Sequence, residues 1–308
     1  MKRYHIINED HAEEFDSELF NMAVKEGSAL IVNSISGGKT SAYIAANHPA
    51  DYDMFSLVRT DDIKCKYPDE KIRQMVSDKL GQEFIGTLED DIIIKTIFDL
   101  EQFIGRKVTW VTGKSFDEAI TYKGEYLPNK IARYCTTELK TMPMLHYIHD
   151  VIKEPVIMRF GYRANEQSRA KNMMAKLDDD GFTNVKATFR KRPDGKNHWE
   201  DVRYCRPEFP LITDSIYKDN IEQFWKDKPV QFAWMNNCVG CWWRNEILLK
   251  KMFEKHPAKM EWFAEQERKR KGTFRNGITY DEIKNHKLQI ELFADDDFEN
   301  CDSGHCGL

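Results

Sequence analysis

The chain has 308 residues, 41% of them hydrophobic, with 46 Lys and Arg against 51 Asp and Glu for a net charge of −5. That length holds one large domain or two modest ones with a sizeable core, and the absence of any apolar run near the roughly 18 residues of a membrane span excludes a transmembrane helix. The whole-chain charge does not argue for nucleic acid as a partner and leaves only a local basic face as a route to one.

Residues 1–27 are polar, with a mild helical pattern from Ala12 to Lys25, and are expected to form an N-terminal helical extension. The start Met1-Lys2-Arg3-Tyr4-His5 leads into acids rather than an apolar segment, so no signal peptide is expected. The seven cysteines are Cys65, Cys135, Cys205, Cys238, Cys241, Cys301 and Cys306. An odd count without a secretory signal points to the reducing cytoplasm, where clustered cysteines serve as metal ligands or redox groups more often than as structural disulfides.

The stretch that organises the chain follows at once. An apolar strand over 28–34 feeds Ser36-Gly37-Gly38-Lys39-Thr40-Ser41, and a helix is expected from Lys39 to about Asn47. Strand, glycine turn and helix make an anion-binding arrangement. Two glycines let the backbone approach a phosphate closely, and the amides of the new helix point at it with the helix dipole behind them. Ser36, Thr40 and Ser41 add hydroxyls and Lys39 a charge. This is not a Walker A loop, because position 33 is Asn where that motif places its first Gly. The alternative is a Ser/Thr N-cap and tight turn in some other α/β protein.

A second strand is expected over 53–58, ending in Arg59-Thr60-Asp61-Asp62, polar residues at a strand's carboxyl end, where open α/β sheets bind ligands. Asp61 is a candidate Mg²⁺ ligand there, or a helix cap. Pro68-Asp69-Glu70 opens a helix that Gly81 ends, Phe84-Ile85-Gly86 reads as a third short strand, and Asp91 to Phe103 as a further helix. Such alternation predicts an α/β fold with a doubly wound, mostly parallel sheet. Residues 107–130 read as an excursion, Leu145 to Ile152 as helix, Pro155 to Phe160 as strand, and 178–206 as a charged surface insertion. Asn220 to Trp225 begins a helix, and from Cys238 onward the chain reads as a helical module with a tail. The expected division is a 1–27 extension, a 28–230 nucleotide-binding α/β domain and a 231–308 helical, cysteine-containing module. The short basic run Arg268 to Lys271 is expected to be a solvated helix end.

Four stretches resemble one superfamily, over roughly residues 28–245 and in the same order. Ser36 to Ser41 resembles the Ser-Gly-Gly-x-Asp-Ser pyrophosphate loop of ATP pyrophosphatases, with Thr40 in place of the Asp. Arg133-Tyr134-Cys135-Thr136-Thr137-Glu138-Leu139-Lys140-Thr141-Met142-Pro143 resembles a segment of the sulfur-transfer enzyme of DNA phosphorothioation, and also the Cys-x-x-x-Lys segment of phosphoadenylyl-sulfate (PAPS) reductases. Gly161-Tyr162-Arg163-Ala164-Asn165-Glu166-Gln167-Ser168-Arg169 resembles the Gly-x-Arg-x-x-Glu-Ser-x-x-Arg segment of the same families, and Cys238-Val239-Gly240-Cys241 is similar to the later Cys-x-x-Cys of their iron–sulfur members. By these motifs the chain is identified as resembling the PAPS reductase-like branch of the adenine nucleotide α-hydrolases.

The resemblance implies a Rossmann-like nucleotide domain that cleaves ATP to AMP and pyrophosphate and activates an acceptor for sulfur transfer. It implies ATP and Mg²⁺ as cofactors and a [4Fe-4S] cluster on Cys135, Cys238 and Cys241, with zinc as the alternative. The fourth ligand is open; Cys205 is the first choice and Cys301 and Cys306 follow, while Cys65 reads as an unligated thiol. Arg is suited to bidentate phosphate contact, which fits Arg163 and Arg169, with surface salt bridging as the alternative. Glu166 either meets ribose or Mg²⁺ or pairs with Arg169. Lys140, five residues after Cys135, is a cation that favours the thiolate. Lys39, Arg163 and Cys306 are the catalytic candidates. Cys306-Gly307-Leu308 is similar to the nucleophilic tail of PAPS reductases, so a sulfonucleotide reductase with a thioredoxin-like reductant is the alternative activity, and a non-catalytic nucleotide-binding subunit the second. The loop keeps Ser-Gly-Gly-Lys-x-Ser, which favours ATP. Remaining partner expectations are a small nucleotide, a sulfur donor, no membrane, and room for a homo-oligomer.

Overall fold

The computed structural model describes residues 29–285. The helix expected over 12–25 and the tail cysteines Cys301 and Cys306 lie outside the described residues. The elements that carry the argument are, in chain order, β1 (Ile31–Ile35), α1 (Lys39–Asn47), β2 (Tyr52–Ser56), β3 (Arg59–Thr60), α2 (Glu70–Leu80), β4 (Gly86–Thr87), α3 (Asp91–Ile104), β5 (Val108–Val111) and α4 (Phe116–Tyr122). A helical run over 134–152 follows, with two loosely wound stretches, Thr137–Thr141 and Ile148–Ile152. Then come β6 (Val156–Arg159), α5 (Gln167–Met174), β7 (Thr183–Lys191), β8 (Asn197–Glu208), α6 (Lys218–Trp225), α7 (Glu246–Lys255), α8 (Pro257–Arg270) and α9 (Tyr280–Asn285).

The fold is α/β, with a six-stranded, mostly parallel sheet in the order β5-β2-β1-β6-β8-β7. β1 runs parallel to β2 on one side and to β6 on the other; β2–β5 and β6–β8 are also parallel, and only β7 is antiparallel to its neighbour. The chain divides into two compact units. Among the described residues, the first comprises 29–56, 97–111 and 141–230, and the second 57–96, 112–140 and 231–285. The described part of the expected helical module, 231–308, thus shares its unit with two earlier segments. The first unit's core gathers Val32, Met54, Leu145, Ile148, Met158 and Val202 around the sheet. The second packs Leu88, Phe116, Leu249, Trp262, Phe263 and Tyr280.

Local chemistry sets several boundaries. Asp69 caps α2, its carboxylate accepting from the Lys71 and Ile72 amides, and Gly81 ends the helix at φ 68°. Ser115 and Glu118 form a reciprocal capping box on α4. The basic run ends α8, where Arg268 meets Asp281 and Glu261 and Lys271 takes the left-handed conformation.

Three expectations need correction. The strand at 84–86 does not extend the parallel sheet. β4 pairs antiparallel with β3 in a separate two-stranded ribbon, where Gly86 sits so close to the Cys65 carbonyl that no Cβ fits. The excursion at 107–130 contains an edge strand of the main sheet, β5, because Trp110 packs edge-on against Phe55 with ring centres 5.1 Å apart. The surface insertion at 178–206 is instead the β7–β8 hairpin. Its charged residues alternate with Val185, Ala187, Phe189, Val202 and Tyr204, all buried on one face, so a strand period of two was hidden under a high charge content.

Beneath the sheet's turns lies a polar knot. Asp53, 2% exposed, accepts from Asn33 Nδ2 at 2.8 Å and from Arg106 Nε and Nη2 at 3.1 and 2.8 Å, and Arg106 also reaches the Ala45 carbonyl. The carboxylate so ties β1, β2 and α1 to the start of β5. Asp53→Ala takes from the guanidinium its carboxylate and from the Asn33 amide one of its two acceptors, leaving Arg106 the Ala45 carbonyl and Asn33 the His48 carbonyl. Because the Arg106 side chain is 31% exposed, the expected loss is about 2–3 kcal/mol rather than the larger penalty of a fully buried pair, read from the urea midpoint at constant m; an unchanged midpoint would refute it.

Candidate functional site

In the first unit, the glycine turn stands where β1 ends and α1 begins. Gly37 adopts φ 77°, a conformation that L side chains rarely take. Gly38 occupies the N-cap position of α1 with φ −95° and ψ 158°, and no side chain among the described residues caps the helix. The first-turn amides of a nine-residue helix therefore keep their capacity to meet an anion. Ser41 organises the loop. Its hydroxyl donates to the Gly38 carbonyl at 3.1 Å, accepts from the Ser36 amide at 3.0 Å, and lies 3.1 Å from the Ser36 hydroxyl.

The chain leaves β1 toward β2 and β5 on one side and returns to β6 on the other. The β1–β6 boundary is therefore the topological switch point of the sheet, where open α/β sheets bind ligands at the strands' carboxyl ends. Gly161, just past β6, sits against the loop: a Cβ there would lie 3.2 Å from Thr40 Cγ2 and 3.6 Å from the Ser41 amide nitrogen. Two segments that are 120 residues apart in sequence, counted from Ser41 to Gly161, meet at this point.

Past Gly161, Glu166 gathers two arginines. Its Oε2 accepts from the Arg163 amide at 2.9 Å and from Arg163 Nε at 3.0 Å, and its Oε1 from Arg169 Nη1 at 2.5 Å. Arg169 also lies 4.2 Å from the Tyr162 ring centre. Burial works against the Glu166 carboxylate, but the Arg163 amide and the two guanidiniums outweigh it and hold its pKa below the ordinary 4.5. Arg163 is 6% and Glu166 8% exposed, so this is a buried pair rather than a surface bridge.

Lys39 meets a carboxylate that sequence reasoning missed. Its ammonium pairs with Glu222 on α6, and the Trp225 indole of the same helix donates to the Lys39 carbonyl at 2.9 Å. Glu222 lies 183 residues away in sequence, and no local pattern marks it.

The second unit holds Asp61, Lys140 and three of the candidate cysteines. Asp61 pairs with Arg59 at 2.8 Å, and it is Asp62 that caps the next turn through the Lys64 amide. Lys140 Nζ meets Glu89 Oε1 at 3.0 Å. Glu89 is 1% exposed, and among the described residues its Oε2 has no hydrogen-bond partner. Lys259 donates to the Glu89 carbonyl at 2.6 Å and to Asp91 at 2.7 Å. Glu89 and Cys238 pair as an antiparallel bridge, and the Val239 amide donates to the Leu88 carbonyl at 2.8 Å.

The Cys238–Cys241 turn is held by side chains. Arg244, 2% exposed, donates to the Asn236 and Cys238 carbonyls; Tyr280 donates to Gly240 at 2.6 Å; Arg275 donates to Trp242 and Arg244. Every second carbonyl from 236 to 244 is thus engaged. A Cβ on Gly240 would collide with the Phe263 ring. Burial first, then the Glu89 carboxylate and the other two thiols, push the Cys238 thiol well above its ordinary pKa, while Lys140 pulls the other way.

Cys135, Cys238 and Cys241 therefore share one neighbourhood, and their thiol chemistry suits a thiophilic metal. Yet among the described residues no group of three or more His, Cys, Asp or Glu is drawn together closely enough to hold a metal ion, so the donors as they stand do not close a site. Cys205 lies in the first unit's core on β8, 0% exposed, 3.4 Å from the Thr183 hydroxyl, and burial pushes its thiol up to about 12, which makes it a poor thiolate. Cys65 is also buried and pushed up to about 12.

No family model, curated protein or solved structure matches the chain.

Because the Glu166 pKa is depressed in the fold, its contribution to stability is present above the ordinary 4.5 and is lost as pH falls through the folded value. Glu166→Gln is expected to be about 2 kcal/mol less stable at neutral pH, with the gap to the native protein closing on acidification below 4.5. Urea titrations across that range check it; a gap that stays constant would contradict it. Gly240→Val is expected to cost at least 2 kcal/mol through overpacking against Phe263, about the middle of the usual range, and calorimetric melting reads it.

Proposed function

We propose that the chain is an ATP-using enzyme of the PP-loop kind, which cleaves ATP between its α and β phosphates, releases pyrophosphate and leaves an AMP-activated acceptor for sulfur transfer. The observation that carries this reading is the pairing of the uncapped α1 N-terminus with Gly161 at the switch point of a mostly parallel sheet. In this reading the sheet is the doubly wound, Rossmann-like sheet of the adenine nucleotide α-hydrolases, and residues 231–308 are its helical module.

The roles follow from the side chains. The amides after Gly37 and Gly38 cradle the leaving pyrophosphate and spread its developing charge over fixed dipoles. Lys39 supplies the cation beside them, and Thr40 faces the Gly161 segment. Arg163 steadies the α-phosphate from the far side, held in place by Glu166 as Arg169 is. Mg²⁺, when bound, would supply charge neutralisation on the phosphates. Cys135, Cys238 and Cys241 are the proposed thiolates of a sulfur-handling centre, iron–sulfur or zinc, for which Lys140 is the neighbouring cation; what supports this is their common neighbourhood and the side-chain scaffold around Cys238–Cys241.

Lys39→Ala removes one charge from the pyrophosphate cradle. It is expected to lower the rate of AMP and pyrophosphate formation by roughly two to three orders of magnitude, with melting temperature unchanged because Lys39 is partly exposed. The measurement is α-labelled ATP incubated anaerobically with candidate acceptors: sulfonucleotides, tRNA and DNA. ADP as the sole product would defeat the reading. For the cysteines, anaerobically purified protein is expected to carry iron and acid-labile sulfide, lost in a Cys238→Ser, Cys241→Ser double variant; zinc without iron would select the alternative, and neither metal would reject the centre.

A further inference from the structure

The loop that would hold pyrophosphate already has an anion at its lysine. Lys39 Nζ pairs with the Glu222 carboxylate, and the position of Glu222 is not an accident of a swinging side chain. Its helix, α6, is pinned to the loop and to α1 on two sides. Trp225, 4% exposed, donates its indole N–H to the backbone carbonyl of Lys39 at 2.9 Å. Phe224 packs edge-on against Tyr43 of α1 with ring centres 5.0 Å apart, and Phe103 packs on both Phe224 and Trp225 at 6.4 and 5.4 Å. These anchors lie just past Glu222 on the same helix and fix the element that brings its carboxylate to Lys39.

We infer that Glu222 is a built-in competitor for the loop: its carboxylate pairs with the ammonium of Lys39 that a phosphate takes when it binds, and it retakes that ammonium when pyrophosphate leaves. The inference rests on the proposed phosphate role of Ser36 to Ser41. Lys39 has one compact cationic head, and a phosphate drawn to it by the loop amides must share it with a second anion a few ångströms away. While paired, the carboxylate offsets the ammonium's charge. A phosphate must displace it to gain the full attraction, so the pair limits how tightly the product is retained. Both side chains are partly exposed, 33% for Lys39 and 42% for Glu222, and solvent screening keeps the effect moderate.

The test is calorimetric titration of inorganic pyrophosphate, in chelator-treated buffer at low ionic strength, into the native protein, Glu222→Gln, Lys39→Met and the double variant. Glu222→Gln keeps the length and shape of the side chain, and the Trp225 and Phe224 anchors are untouched, so the melting temperature should hold. The expected result is roughly three- to tenfold tighter pyrophosphate binding by Glu222→Gln than by the native protein. That gain should shrink in the Lys39→Met background, because the carboxylate then has no ammonium to compete for, and raised salt should reduce it. Equal or weaker binding by Glu222→Gln would overturn the competitor role and leave the loop reading standing. An undiminished gain in the Lys39→Met background would overturn the role too, since Glu222 would then act on the phosphate without Lys39. Failure of pyrophosphate to bind any of the four proteins would overturn the loop reading and the competitor role with it.

Discussion

The hydroxyl of Ser41 is the interaction on which the candidate site depends. It donates once, to the Gly38 carbonyl, and accepts from the Ser36 amide, which closes the glycine turn on itself across five residues. With the turn closed in this way, Gly37 can keep its left-handed φ and Gly38 can stand at the head of α1 without a capping side chain. A helix that begins with uncapped amides is left with unmet hydrogen-bonding capacity, and the small Gly161 lets the segment after β6 approach that end closely. The sheet order, the loop and the Arg163–Glu166–Arg169 group all belong to the first unit and are consequences of how β1 and β6 lie side by side.

The second unit solves a different problem. It brings Cys135 into the neighbourhood of the Cys238–Cys241 turn from a segment far away in sequence, on a scaffold made of side chains. Arg244, Arg275 and Tyr280 hold alternate carbonyls of the cysteine turn, and the Leu88–Glu89 backbone pairs with Cys238 and Val239. A small metal domain often relies on its ion for its fold. Here the turn's carbonyls already have partners and Gly240 lies beneath the Phe263 ring. The cost of this arrangement falls on Glu89, a buried carboxylate with one oxygen on Lys140 and the other without a partner among the described residues.

Much of this was legible in the sequence, and the reasons for the rest are physical. The strand, glycine turn and helix at 28–47 are local signals, and the structure places α1 over the expected Lys39–Asn47. The caps at Asp69 and Gly81 are equally local. The β7–β8 hairpin was masked because charge on its exposed face outweighed the buried alternation of Val185, Ala187 and Phe189. β5 was masked because its strand character comes from Trp110 meeting Phe55, a contact that no short window contains. Glu222, Glu89, Arg244 and Arg275 were missed for the same reason. Each acts on a partner chosen by tertiary packing, and only Arg244, three residues past Cys241, had a local hint.

The central claim is that the Ser36–Ser41 turn binds phosphate through its backbone. The most direct measurement is an amide chemical-shift titration of isotope-labelled protein with inorganic pyrophosphate. The account predicts that the largest shifts fall on the amides of Gly37, Gly38, Lys39, Thr40 and Ser41, with Gly161 following. Saturable binding whose shifts leave these amides unmoved would contradict it.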